Sequence, residues 1–118
     1  MRNYRQYEIW KLSHELALTV YRVVRSFPNE ERYGMSSQMQ RAAVSVPANI
    51  AEGSGRPSYA DFARFLGIAL GSLSEVDYYT LMAKDLGYID TATADDLSSS
   101  IADLRRMMTR FRTTVIGR

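Results

Sequence analysis

The sequence predicts an all-α protein, a single antiparallel up-and-down four-helix bundle over residues 1–118. Four segments of about twenty residues repeat apolar side chains every three or four positions, the spacing of one face of an α-helix. The connections between them are short and carry glycine and proline. No stretch sustains the two-residue alternation of a strand. The chain of 118 residues is long enough for one core and too short for two, and its 46% apolar and 24% charged composition is that of a folded globular domain.

The first helix is expected over about 7–26, with Ile9, Leu12, Leu16, Val20, Val23 and Phe27 in one row and Pro28-Asn29 as its stop. A second row of Trp10, Ala17, Tyr21 and Val24 widens the apolar face beyond what one neighbour covers. The spacing there predicts a deep position in the bundle or a subunit contact.

The second helix, about 36–54, follows Gly34, with Ser36 or Ser37 as its N-cap. Met39, Ala42, Ala43, Val46 and Ile50 make its core face, and Gln38, Arg41, Ser45, Asn49 and Glu52 form a polar row beside it. Val44, Pro47, Ala48 and Ala51 fill the remaining sector with apolar, mostly small side chains, so more than one packing partner is expected. Pro47 lacks an amide hydrogen and costs about 3 kcal/mol in a helix interior, which predicts a kink. Because apolar spacing continues to Ile50, one bent helix is expected, with Gly53 and Gly55 as C-caps.

The third helix, about 58–86, opens on Ser58 and Asp61 in a capping arrangement and carries a core row of Phe62, Phe65, Leu66, Ala69, Leu73 and Val76. A row of Gly67, Gly71, Ser74 and Tyr78 occupies another face. Glycine lowers helix propensity by about 1 kcal/mol per site, so this row calls for a close helix contact. With Val44, Ala48 and Ala51 it is the candidate subunit interface.

Leu86-Gly87-Tyr88 ends the third helix, and Asp90, Thr91 or Thr93 can cap the fourth, about 91–115. Leu97, Ile101, Leu104, Met108, Phe111 and Val115 keep a heptad spacing through it. Its last stretch, residues 104–118, holds Arg105, Arg106, Arg110, Arg112 and Arg118 with no acid, whereas residues 61–103 hold two basic residues and eight acids. Thirteen of the fifteen basic residues are arginine, the side chain that grips phosphate in a fork. Acids at the start of a helix and arginines at its end also suit the helix dipole, so structure and phosphate binding compete as reasons for the patch.

Composition narrows the chemistry. Without cysteine there are no disulfides or thiolate metal sites. His14 is the single histidine, and Leu18 follows it one turn later, so neither a His-Glu-x-x-His site nor a bundle-core di-metal site can form. Gly53-Ser54-Gly55 lacks the Gly-Lys-Ser/Thr and the preceding strand of a phosphate loop. Glu52 and Glu75 would form a carboxylate pair with no nucleophile beside it. These features predict no enzyme, no cofactor, no metal and no small-molecule substrate. No stretch approaches eighteen apolar residues and no signal-type apolar region follows the start, so a cytoplasmic protein without a membrane partner is expected.

Two uses remain for the polar residues. Gln38, Arg41, Ser45, Asn49 and Glu52, with Glu75 across the helix pair, can form a buried network that fixes helix register. Alternatively Arg41, Arg56 and Arg64, with Arg105, Arg106, Arg110 and Arg112 of the fourth helix, can contact nucleic-acid phosphates.

The chain resembles a bacterial family of four-helix bundles, the 23S rRNA intervening-sequence proteins, which also includes the accessory variability proteins of diversity-generating retroelements. The matching pieces are Ile9-Trp10, His14-Glu15-Leu16-Ala17, Phe27-Pro28, Glu31-Arg32-Tyr33-Gly34, Arg41-Ala42-Ala43, Ser45-Val46-Pro47, Asn49-Ile50-Ala51-Glu52-Gly53, Phe65-Leu66, Ala69-Leu70-Gly71-Ser72-Leu73 and Leu86-Gly87-Tyr88. The resemblance implies a homopentameric ring, and basic surface that engages nucleic acid. Gln40 stands where the family often has arginine, and Tyr78-Tyr79 where it usually has Thr-Gln, so one positive charge is missing beside Arg41. The sequence therefore points to a noncatalytic oligomeric adaptor binding RNA or a ribonucleoprotein, with a purely structural or protein-binding assembly as the alternative.

Overall fold

A computed structural model describes residues 3–118, in which the apolar rows become four long helices: α1 (Glu8–Val23), α2 (Met35–Ser54), α3 (Tyr59–Asp85) and α4 (Thr91–Ile116). A 3-10 turn over Val24–Ser26 prolongs α1, and another over Asn29–Glu31 leads into α2. Each helix packs on the next, and α1 closes on α4. The short connections make neighbours antiparallel, in a body measuring 45 × 24 × 20 Å. Among the described residues there is no strand.

The helix ends follow local chemistry. Ser58 Oγ accepts the Asp61 amide at 3.1 Å to start α3, and Asp90 Oδ1 accepts the Thr93 amide at 2.8 Å to start α4. Hydrogen bonding from Thr93 holds the Asp90 carboxyl below its ordinary value. At the end of α3, Gly87 takes φ +76°, and the Tyr88 amide reaches back to the Ala83 carbonyl at 2.8 Å, closing the helix as a Schellman turn.

The start of α2 departs from expectation. The helix begins at Met35, ahead of both expected caps, and Ser36 is buried within it. Glu31 Oε1 accepts the Met35 amide at 3.2 Å, so the preceding turn supplies the cap and a negative charge suited to a helix N-terminus. The other oxygen, Oε2, accepts the Tyr88 hydroxyl at 2.8 Å, tying this end of the bundle together. Helix α2 runs unbroken past Pro47 to Ser54.

Gly53 is not a cap. It lies inside α2, where a Cβ would sit 2.8 Å from Phe65 Cβ, 2.9 Å from Phe62 Cδ1 and 3.3 Å from the Phe62 carbonyl oxygen. The close helix approach expected at Gly67 and Gly71 occurs here, between α2 and α3. Gly55 caps the helix in right-handed geometry, at φ −87°.

The core is the expected one at Val20, Met39, Val46, Ile50, Leu66, Leu73, Val76, Ile101, Leu104 and Met108, all at most 2% exposed. Leu12 and Tyr21 are exceptions at 38% and 45% exposure. Leu12 is open because α1 and α4 leave between them a groove of about 440 Å³, floored by Leu16, Leu97 and Leu104 and flanked by Glu15, Asp96 and Asp103; Tyr21 lies on the opposite side of α1. No helix among the described residues is long and apolar enough to cross a membrane.

Candidate nucleic-acid interface

Only part of the expected polar network assembles. Ser45 Oγ meets Ser72 Oγ at 2.8 Å across the α2–α3 seam, and Asn49 Nδ2 donates to the Ser45 carbonyl at 2.8 Å and to its Oγ at 2.9 Å. Gln38, Arg41, Glu52 and Glu75 are exposed and make no side-chain hydrogen bond or ion pair among the described residues. The Arg41–Glu75 pair is absent for a rotational reason. Arg41 sits about 40° further out on the α2 wheel than Ser45, and Glu75 about 60° further out on α3 than Ser72. Ser72 was not anticipated; being small and polar inside an apolar helix was its one signal.

The candidate interface residues do not share a single patch either. Ser45 and Asn49 mark the side of α2 that faces α3, and Val44, Ala48 and Ala51 turn away from it, with Val44 40% exposed. On α3 the row lies toward α4. The Arg112 guanidinium covers Gly67, with its Nε 3.5 Å from where a Cβ would stand, and Arg105 donates to Ser74 Oγ at 3.0 Å. Gly71 has nothing within 4 Å of a Cβ position, and Tyr78 is 58% exposed.

The seven candidate arginines fall on several faces. Arg41 is alone on the outer side of α2. Arg105 spans the α3–α4 seam, with Asp77 at 3.9 Å as well as Ser74. Arg106 pairs with Asp103, and Arg110 lines a shallow cleft with Glu8, Tyr7 and Met107. Arg56, Arg64 and Arg112 gather at the end of the molecule where the α2–α3 turn meets the close of α4.

At that end Asp61 takes Arg56 Nε on Oδ2 and Arg64 Nε on Oδ1, both at 2.9 Å. Both guanidinium groups lie over the Phe65 ring, 5.0 and 4.5 Å from its centroid. The hydrogen bond from Arg64, aided by the Arg56 charge, holds the Asp61 carboxyl below its ordinary value. Arg112 Nε donates to the Ala63 carbonyl at 2.8 Å, and its terminal amino groups make no hydrogen bond among the described residues. Arg118, absent from the candidate set, places its guanidinium 5.8 Å from the Tyr59 ring centroid. Four guanidinium groups thus gather at this end, two of them paired with Asp61. The opposite end carries Glu30, Glu31, Asp85, Asp90, Asp95 and Asp96 around its turns, together with Arg22, Arg25, Arg32 and Lys84.

Two open clefts flank Tyr59. One, about 380 Å³, is lined by Tyr7, Arg56, Pro57 and Phe111; the other, about 540 Å³, by Ala60, Ala63, Arg64 and Arg112. Tyr59 and Arg118 border both. The tyrosine belongs to no periodic row, and what brings it beside Arg118 is the antiparallel meeting of the α3 start with the α4 end.

Comparison with known proteins agrees with this fold. A protein of unknown function from the S23 ribosomal protein family of Bacteroides thetaiotaomicron superposes with a TM-score of 0.82 at 25% identity, covering 88% of this chain and 97% of that one. No curated protein matches the sequence. The sequence model of the family described as 23S rRNA-intervening sequence protein matches residues 5–110. The chain belongs to the family of 23S rRNA-intervening sequence proteins.

Proposed function

We propose that this protein is a noncatalytic, cytoplasmic adaptor that assembles into a homo-oligomeric ring, pentameric by family resemblance, and holds RNA or a ribonucleoprotein by its basic end. The observation that carries the reading is the gathering of Arg56, Arg64, Arg112 and Arg118 along two clefts at one end of the bundle, where Asp61 pairs with the first two alone. Such a cluster keeps a net positive charge, and guanidinium forks suit phosphate oxygens. The noncatalytic part rests on how the reactive side chains stand apart: His14 stacks on Trp10 at 4.9 Å, and Glu52 and Glu75 are exposed on separate helices.

The ring reading draws on the two separated patches. Head-to-tail closure joins two different surfaces, and the outer α2 residues Val44, Ala48 and Ala51 lie apart from the Gly71 and Tyr78 side of α3. Light scattering on the purified chain of 13.4 kDa should give several times that mass, reduced in Gly71→Leu. A monomer mass for the wild type rejects the ring.

For RNA, fluorescence anisotropy with a labelled 20-nucleotide mixed-sequence strand tests the site. Affinity should fall with salt, the log–log slope losing about 0.7 for each phosphate contact removed by Arg64→Gln, Arg112→Gln or Arg118→Gln. Arg106→Gln, on another face, should leave the slope unchanged. No salt-dependent binding, or equal effects from all four variants, would favour the purely structural reading, in which these arginines tie helix ends.

A further inference from the structure

We infer that the basic end takes single-stranded rather than double-stranded nucleic acid, with one base stacked on Tyr59; the inference rests on the reading of that end as an RNA site. Tyr59 stands at the first position of α3, 56% exposed, with an open cleft on either side. A tyrosine in that setting leaves about half of its surface to a flat partner. The position over the ring is already occupied by something flat, since the Arg118 guanidinium lies 5.8 Å from its centroid. A nucleobase takes the same place with a larger stacking area, and Arg118 is then free to reach a phosphate.

The charges are placed to follow a strand past that base. Arg64 and Arg112 line the cleft on one side of the tyrosine, and Arg56 lines the cleft on the other. The α3 N-terminus adds its positive end beside the tyrosine. Ser58 accepts the Asp61 amide, while the Tyr59 and Ala60 amides have no acceptor among the described residues. A backbone running across Tyr59 would meet cationic groups before and after the stacked base. Stacking on aromatic side chains within a basic groove is how single strands are held without reading their sequence. A duplex presents its phosphates but keeps its bases stacked on each other, so it gains nothing from Tyr59.

Anisotropy with a labelled 12-nucleotide mixed-sequence RNA and with the 12-base-pair duplex of the same sequence tests this. The single strand should bind about tenfold more tightly at equal salt, and Tyr59→Leu should lose about that factor for the single strand alone. Tyr59→Phe should bind as the wild type does, and the salt slope should be the same in all three proteins. Photocrosslinking of a 4-thiouridine strand to the wild type should map to Tyr59, an outcome independent of how any variant folds. Salt-dependent binding that is equal for strand and duplex and indifferent to Tyr59→Leu overturns the stacking site while leaving the basic-end reading intact. Absence of binding to either probe overturns both.

Discussion

Replacing two glycines one at a time should move stability in opposite directions. At Gly53 the added methyl of Gly53→Ala would stand 2.8 Å from Phe65 Cβ and 3.3 Å from the Phe62 carbonyl oxygen. Both atoms are fixed to the α3 backbone, so rotating a side chain cannot relieve the contact and the two helices must separate. Overpacking of this kind costs about 1–3 kcal/mol, and these distances belong in the upper half of that range. Alanine recovers about 1 kcal/mol of helix propensity, which leaves a net loss of about 1–2 kcal/mol. At Gly71 nothing lies within 4 Å of the new methyl, so Gly71→Ala keeps the full propensity gain of about 1 kcal/mol within a protomer. Thermal unfolding followed by far-ultraviolet circular dichroism should show a midpoint lowered by about 4–8 °C for Gly53→Ala and raised by about 4 °C for Gly71→Ala. A Gly53→Ala protein as stable as the wild type would refute the close α2–α3 contact. Because that face belongs to the proposed ring contact, the gain is expected of the dissociated protomer at high dilution, and a loss confined to concentrations at which light scattering shows the assembly would mark the neighbouring chain's contact.

Three further outcomes follow from the described contacts. Ser72→Ala removes the partner of Ser45 and should cost about 1 kcal/mol in urea unfolding, whereas Glu75→Ala should leave the midpoint unchanged. Equal losses would mean that Glu75 belongs to the network after all. The Tyr88 hydroxyl donates to Glu31, which raises the phenol above its ordinary value of 10.0. The stability it contributes is fully present below pH 10 and is lost as pH rises through the raised folded value. Ring-labelled NMR should therefore find Tyr88 titrating late, and Glu31→Gln should bring it back. For Asp61, whose folded value is lowered from 3.8, the contribution is present above that pH and is lost as pH falls through the folded value. Asp61→Asn should flatten the acid limb of the stability curve, and an unchanged limb would deny the shared pairing with Arg56 and Arg64.

The four helices were legible because their signals are local. Ser58 and Asp90 cap within three residues of themselves, and each core row repeats within one helix. Features that depend on how helices meet were not. Gly53 follows an apolar pattern near its end and so reads as a cap; its actual role is set by Phe62 and Phe65 on the next helix. Arg41 and Glu75 sit at suitable heights on adjacent helices, yet pairing depends on the rotation of each helix about its axis, which periodicity defines only to within the width of a face. Leu12 fits the core row of α1 and is nevertheless exposed, because the pattern does not say which seam of a bundle stays open. The basic end was half visible: arginine content marked Arg56, Arg64 and Arg112, but the place of Tyr59 and Arg118 between two clefts needed the antiparallel arrangement of α3 and α4.

Arginines outnumber Glu8, Glu52 and Asp61 at one end of a 45 Å body, and acids outnumber Arg22, Arg25, Arg32 and Lys84 at the other, an asymmetry that makes the molecule a weak electric lever. In the field of a polyanion such a lever experiences torque before contact, swings its arginine end inward and arrives already oriented, which shortens the search for a productive encounter. Should the proposed nucleic-acid site stand, the same asymmetry would set which tip of the bundle arrives first.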